Sequence, residues 1–290
     1  MHITGKTELY GLLGYPVEHT ASPKMHNAAF KAMGRNAVYV PFPVSPENLE
    51  AAVKGLIPLG VKGVNVTIPH KQAIIPYLDS LHPSASAIGA VNTVQISGGK
   101  LMGYNTDAAG FASDVEIAAS FNFTNQSVFI CGAGGAGRAV AFACLSRGVK
   151  KIGIFDVDSQ RSKSLVDALV QYVSQNTLDI AVFQISSVSD TFIATAGLAV
   201  NATPLGMKST DAVPFYVEQL PAESVVYDVV YNIPETQLVE SAKERGLKAL
   251  NGLGMLLGQG AMAFRIWTGQ APDSSVMRAA LEEAIYGDTV

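Results

Sequence analysis

Ser127-Val-Phe-Ile-Cys131, then Gly132-Ala-Gly134-Gly135-Ala136-Gly137, then the helical run Arg138–Arg147 is the most informative stretch of this chain. A short apolar strand ends in glycines spaced G-x-G-x-x-G, and a helix follows at once. A backbone that must turn sharply and let a pyrophosphate approach a helix N-terminus needs residues without side chains at these points. The next strand, Lys151–Phe155, ends in Asp156, the position at which such folds hold the adenosine ribose. A carboxylate there accepts hydrogen bonds from two ribose hydroxyls and repels a 2′-phosphate, so NAD is favoured as cofactor and NADP remains possible. Arg161 is close enough in sequence to partner a phosphate. Asp158 reads equally as a second acid or as the cap of the next helix.

Outward from this turn, β-rich runs alternate with amphipathic ones. Strands are predicted at Leu9–Gly14, Ala37–Phe42 and Gly63–Val66, helices at Pro23–Met33 and Pro46–Leu59, and a hairpin over Val91–Tyr104 that turns at Ser97-Gly98-Gly99-Lys100. The second half adds strands at Ile180–Phe183, Leu198–Asn201 and Val225–Val229 with helical patterns between them. Strand–helix–strand at this spacing implies parallel sheets with right-handed crossovers. Asp107–Phe121 reads as a helix leading from one half to the other, with polar Asn122–Ser127 as the entry to the second. The helices Gly252–Thr268 and Asp273–Ile285 have no strand left to cover, so they are expected to pack back on the first half.

The 290 residues favour two domains. With 48% hydrophobic and 15% charged residues the chain can bury a large interior, which excludes wholesale disorder. A net charge of −4 and no basic stretch argue against nucleic acid as a partner. No run of apolar residues is long enough for a membrane span, and Met1–Gly11 lacks the pattern of a secretory signal. Two cysteines, Cys131 and Cys144, cannot build a disulfide framework and fit a reducing cytoplasm. His2, His19, His26, His70 and His82 show no metal spacing, so no metal is expected. Phe264 and Trp267 fall on one helix face and read as packing.

Three segments of the first half put polar residues where helix and strand ends meet. In Thr20-Ala-Ser22-Pro23 the serine reads as an N-cap with proline at the first helical position; the same two hydroxyls could also face an anion at a helix N-terminus. Asn65-Val-Thr67-Ile-Pro69-His-Lys71 ends a strand and opens a helix, where the macrodipole disfavours a lysine, so Lys71 calls for another reason. Gly89-Ala-Val-Asn92-Thr93 and Asn105-Thr-Asp107 place amide, hydroxyl and carboxylate groups at strand ends.

Taken in order, these motifs resemble the shikimate dehydrogenases, as do the glycine turn, Asn201-Ala-Thr203-Pro-Leu-Gly-Met207, Tyr227-Asp-Val229-Val-Tyr231 and Asn251-Gly252-Leu-Gly-Met-Leu-Leu-Gly-Gln259. The resemblance runs from about Gly11 to Pro272. It implies an α/β protein of two domains: an N-terminal substrate domain, 1–107, completed by C-terminal helices, 251–290, and a Rossmann dinucleotide-binding domain, 108–250. It implies reversible reduction of 3-dehydroshikimate to shikimate with a nicotinamide cofactor, within aromatic amino acid biosynthesis. Lys71 matches the catalytic lysine and Asp107 its partner. Thr20, Ser22 and Tyr231 match the carboxylate-binding hydroxyls, although a core-aromatic role rivals the last; Thr67, Asn92, Asp107 and Gln259 match the groups that hold the ring hydroxyls. Gly132, Gly134, Gly135, Ala136, Asp156, Arg161, Thr203, Val229 and Gly252 fall on the cofactor side.

The departures are informative. The family commonly has Ser at Thr20 and often Asp at Asn251. Its NADP-dependent members usually carry Asn followed by Arg and Thr where this chain has Asp156-Val157-Asp158, so the chain resembles an NAD-preferring branch such as the quinate/shikimate dehydrogenases. Quinate or an amino analogue remains an alternative substrate, and a non-catalytic NAD-binding regulator is a third reading, against which the intact Lys71 and Asp107 argue. The partner expected is a small molecule, and the chain is expected to be a monomer or homodimer.

Overall fold

The structure, a computed structural model, describes residues 3–287; Met1 and His2 lie outside the described residues. The chain forms two compact units, one of the residues up to Thr106 together with those from Leu257 onward, the other of Asp107–Leu256.

In the first unit the order is β1 (Glu8–Gly14), α1 (Ser22–Ala32), β2 (Ala37–Pro43), α2 (Leu49–Leu56), β3 (Val61–Val66), α3 (His70–Ala73), β4 (Ser80–Leu81), α4 (Pro83–Ile88), β5 (Thr93–Ser97) and β6 (Lys100–Tyr104). The strands make one sheet in the order β2-β1-β3-β5-β6-β4. β1 runs parallel to β2 and β3, and the β5–β6 hairpin is antiparallel. That hairpin turns through Gly98 and Gly99 at φ 58° and 72°, which the Ser97–Lys100 spacing predicts. The helix expected over 46–59 is instead a 3-10 turn, Pro46–Asn48, followed by α2, which stops at Leu56.

β1 alternates between two faces. Leu13 joins Leu49, Val53, Leu56 and Ile74 in the core beneath α2. Tyr10 stacks on Phe30 of α1 and meets Trp267. The second face is closed by the last helices, α9 (Leu253–Thr268) and α10 (Ser274–Tyr286), where α10 packs on α1. The Trp267 indole lies where a side chain on Gly63 would stand, 2.3 Å from its Cβ position, and Trp267 Nε1 donates to the Val94 carbonyl at 3.0 Å. Phe264 packs on Phe30. Both aromatics are therefore packing residues, as their spacing predicts.

His26 is fully buried in this cluster, stacked on Tyr39 with centroids 4.4 Å apart. Neither ring nitrogen has a partner at hydrogen-bonding distance and angle. Burial pushes its pKa from 6.5 down to about 3, and the facing Asn65 amide offsets this only slightly. The unfolded chain takes up this proton near pH 6.5 and the folded chain only near pH 3. Between those values His26 therefore withdraws stability as pH falls, at up to about 1.4 kcal/mol per pH unit. His26→Phe keeps the stack, and its urea midpoint is expected to fall less steeply than that of the parent between about pH 6 and pH 4. An unchanged slope would show that the buried ring is already protonated.

The second unit runs α5 (Asp107–Ala118), β7 (Ser127–Cys131), α6 (Gly135–Ser146), β8 (Lys151–Phe155), α7 (Ser159–Gln175), β9 (Ala181–Gln184), β10 (Leu198–Asn201), β11 (Val225–Asp228), α8 (Gln237–Glu244) and β12 (Lys248–Asn251). Its sheet has the order β12-β11-β10-β7-β8-β9, with every pairing parallel. The order reverses between β7 and β10, so a crevice opens beyond their carboxyl ends. The helix beginning at Asp107 belongs to this unit rather than leading up to it. Cys131 and Cys144 are buried and unpaired with each other. Burial pushes the Cys131 thiol up to about 12 and Cys144 higher, so neither is a thiolate nucleophile at neutral pH.

Candidate active site

Beyond β7 the chain turns at Gly132, whose φ of 107° few residues with a side chain adopt. A Cβ there would also lie 2.7 Å from the Ala202 carbonyl oxygen and 2.9 Å from the Thr203 methyl. Gly132 is thus fixed by both conformation and space, and it brings Thr203 beside the turn. Gly134 caps α6, and the first N–H bonded within the helix is that of Arg138, to the Gly134 carbonyl. The N–H groups of the first turn, Gly135 and Ala136 among them, have no intrahelical partner. No atom lies within 4 Å of where a Cβ on Gly134 or Gly135 would stand. An open helix N-terminus of this kind fits a dinucleotide pyrophosphate.

Asp156 follows β8 directly, with its side chain 7% exposed. Its Oδ2 accepts from Ala133 N at 2.7 Å and its Oδ1 from Asp158 N at 2.9 Å, so it fixes the glycine turn directly. Asp158 is the N-cap of α7, accepting from Gln160 N and Arg161 N. The Arg161 guanidinium lies 4.0 Å from Asp156 and 3.9 Å from Asp158.

At the ends of β10 and β11 a buried network sets the rest of this face. Asn201 Nδ2 donates to Leu205 O and to Asp228 Oδ1, and Asn201 Oδ1 accepts from Thr203 N and Thr203 Oγ1. Asp228 also accepts from Val230 N and the Thr236 hydroxyl. Burial raises the Asp228 pKa against these donors. Val229 and Gly252 come together: a Cβ on Gly252 would lie 2.1 Å from Val229 O, and Gly252 N donates to Val230 O at 3.0 Å. Asn251 Oδ1 accepts from Leu253 N at the start of α9. Tyr231 is 36% exposed, which removes the core-aromatic reading.

In the first unit Ser22 does not cap α1. The N-cap is Ala21, already helical at φ −85° and ψ −10° with no side-chain cap bond, so Ser22 and Pro23 are the first two helical residues. Thr20 Oγ1 instead accepts from Ser22 N at 3.3 Å. The Ser22 hydroxyl is thereby released from capping. Thr67 and Lys71 flank a turn after β3, with His70 N bonded to Thr67 O and His70 Nε2 to Val44 O. α3 has only four residues, so its start and end coincide and the macrodipole argument for Lys71 lapses. The lysine's place is set by its carbonyl, which accepts from Val91 N at 2.7 Å.

Asn92, 2% exposed, precedes β5; its Oδ1 accepts from Thr106 N and Thr93 Oγ1, and its Nδ2 donates to Thr106 Oγ1. Asp107 is the buried first residue of α5, and Gln259 is buried on α9. Nothing in the local sequence pattern marks Tyr39, Asn65 or Asp228 for a role. Tyr39 and Asp228 end up as polar links between strands, yet one resembles a core aromatic and the other the last residue of an apolar run.

Among the described residues, no cluster of His, Cys, Asp and Glu could hold a metal ion, and no helix is long and apolar enough to cross a membrane. Two family models match: the shikimate dehydrogenase substrate binding domain over residues 12–94 and the shikimate 5'-dehydrogenase C-terminal domain over residues 252–282. Shikimate dehydrogenase (NADP(+)) of Desulforamulus reducens is 43% identical, over 98% of this chain and 97% of its own. The crystal structure of shikimate 5-dehydrogenase from Listeria monocytogenes, in complex with shikimate and NAD, has a TM-score of 0.89 at 36% identity, covering 97% of this chain and 98% of that one. Quinate dehydrogenase from Corynebacterium glutamicum in complex with NAD has a TM-score of 0.86 at 36% identity, covering 94% and 98%. Likeness of this degree along nearly the whole of each chain, on a two-unit α/β fold with the family's motifs at its strand and helix ends, places the chain in the shikimate dehydrogenase family.

Proposed function

We propose that this chain reversibly reduces 3-dehydroshikimate to shikimate with a nicotinamide dinucleotide, and that it favours NAD over NADP. The observation that carries the reading is that the residues matching the family's motifs stand at the ends of strands and helices, where side chains can face a ligand rather than a core: Thr67 and Lys71 after β3, Asn92 before β5 and Asp107 at the start of α5.

A nicotinamide supplies a hydride and no proton. Lys71 gives that proton to the ketone oxygen in reduction and, when neutral, takes it from the hydroxyl in oxidation. Its ammonium also stabilises negative charge growing on that oxygen, and Asp107 is the carboxylate of the pair. Thr20, Ser22 and Tyr231 hold the substrate carboxylate, while Thr67, Asn92, Asp107 and Gln259 hold ring hydroxyls. Gly132, Gly134, Gly135 and Ala136 receive the pyrophosphate; Thr203, Val229 and Gly252 line the nicotinamide end.

Asp156 supports the preference for NAD. Each of its oxygens accepts one backbone N–H and keeps a lone pair for a ribose hydroxyl. Arg161 stands between two carboxylates, so its charge is already matched and offers little to a 2′-phosphate. The test is the rate of cofactor reduction with shikimate and with quinate, each crossed with NAD and NADP. Shikimate with NAD is expected to be fastest, with kcat/KM about tenfold or more above NADP, equivalent to about 1.4 kcal/mol. Asp156→Ala is expected to close most of that gap. A parent enzyme that prefers NADP would remove Asp156 as the discriminator, and no turnover of either substrate with either cofactor would sink the proposed activity.

A further inference from the structure

The substrate groups assigned to the first unit stand on separate elements, and one buried side chain ties two of them together. Ser22 and His26 are one turn apart on α1 and share a face. Because the His26 ring is stacked on Tyr39 at 4.4 Å and 16°, that face lies against the Tyr39 phenol. The backbone on either side of the phenol is clamped as well: Tyr39 N donates to Asn27 Oδ1 at 2.8 Å, and Asn27 Nδ2 donates to Tyr39 O at 2.9 Å. From β2 the Tyr39 hydroxyl crosses to β3 and donates to Asn65 Oδ1 at 2.9 Å. Asn65 Nδ2 donates to the Asn92 carbonyl at 3.2 Å and to Thr93 Oγ1 at 3.1 Å, and Thr93 Oγ1 donates to Asn92 Oδ1 at 3.0 Å. Tyr39, Asn65, Asn92 and Thr93 are each 5% exposed or less. At that depth a lost bond has no water to replace it.

We infer that Tyr39 is a positioning residue for the substrate: its ring seats the α1 face that carries Ser22, at the carboxylate end, and its hydroxyl holds Asn65 and, through it, the surroundings of Asn92, at the ring-hydroxyl end. The inference rests on the roles proposed above for Ser22 and Asn92. Tyr39 touches no substrate itself. Without its hydroxyl, Asn65 Oδ1 loses a donor while the stacked ring stays in place; the Asn92 carbonyl is still held by Val66 N at 2.8 Å, so what loosens is the Asn65 amide, the Thr93 hydroxyl it holds and, through that hydroxyl, Asn92 Oδ1. A tyrosine serving only the core would affect stability and the active fraction without singling out one ligand.

The experiment compares Tyr39→Phe, Ser22→Ala and the double variant by steady-state kinetics in the full chain. Tyr39→Phe is expected to raise the KM for shikimate about tenfold, with the KM for NAD within about twofold of the parent. Ser22→Ala is expected to raise the shikimate KM as well. In the double variant the rise is expected to fall short of the product of the single effects, because the groups the two residues position hold one substrate between them. Asn65→Ser cuts the same link from β3 and is expected to give the same split between the two KM values. A shikimate KM unmoved in Tyr39→Phe and Asn65→Ser, with Ser22→Ala impaired, would overturn the positioning role, as would fully multiplicative effects in the double variant. A shikimate KM unmoved in Ser22→Ala would instead overturn the substrate role of Ser22, and the inference would fall with it.

Discussion

Lys71→Met is expected to lower kcat for shikimate oxidation by about a thousandfold, within the range seen when a general acid or base is lost. Methionine keeps the length of the half-buried stem and removes only the ammonium, so the reaction loses its proton carrier while the fold keeps its packing. The backbone around position 71 is held by the Val91 N–H on the Lys71 carbonyl and by the His70 ring on the Val44 carbonyl, and methionine leaves both in place. Thermal stability should therefore stay near that of the parent. Cofactor binding belongs to the second unit in the proposed assignment, and quenching of protein fluorescence by NADH should give an unchanged Kd. A kcat within about threefold of the parent would rule out Lys71 as the proton carrier. Loss of NADH binding along with activity would overturn the proposed division of labour between the units.

Gly132→Ala is expected to have a comparably large effect by another route. The new methyl meets two penalties at once: a backbone at φ 107° and the Ala202 carbonyl oxygen 2.7 Å away. Together these amount to about 2–5 kcal/mol of stability lost from the second unit. The turn must then open, and the α6 N-terminus moves with it, so NAD affinity should drop more than tenfold. The readout is selective because the chain has one tryptophan, Trp267, and it lies in the first unit. In urea, far-UV circular dichroism should show an earlier transition while tryptophan fluorescence shifts less. Gly134→Ala is the control, since nothing lies within 4 Å of its Cβ position; it should keep stability and lose affinity through the methyl facing the pyrophosphate. If Gly132→Ala bound NAD as tightly as the parent, the turn would not be the phosphate cradle.

The parallel sheet of the second unit was legible because its strands are apolar runs bounded by glycines and polar turns, and the glycine spacing marks where β7 meets α6. The helical C-terminus was legible from periodicity, and its return to the first unit from the lack of any strand left to cover. Short pieces escaped: β4 has two residues, β12 four and α4 six, too few for a period to show. The cap at Ser22 was misplaced because the chain becomes helical one residue early, at Ala21, where no side chain announces it. The site's outer supports were hidden for a different reason. Tyr39 alternates correctly as a buried strand residue, and only its partners, Asn27, Asn65 and His26, distinguish it from an ordinary core aromatic. Such partnerships join residues up to 26 apart in sequence and leave no local pattern.

The closing of the first sheet by Trp267 and α10 has a consequence for biogenesis. All six strands of that sheet leave the ribosome before the second unit begins, yet the helices that cover one of its faces come after about 150 further residues. At 5–20 residues per second, synthesis of that interval takes roughly 8–30 s. Through that time the aromatic face around Tyr10, Phe30 and Tyr39 waits for its cover, while the second unit, continuous in sequence, can fold on its own. The nascent chain therefore carries an uncovered apolar sheet for most of its synthesis, and a chaperone that recognises apolar segments would meet it then rather than after release. Ribosome-bound chains ending just before Leu257 should be the species such a chaperone retains, and full-length chains released from the ribosome should be let go.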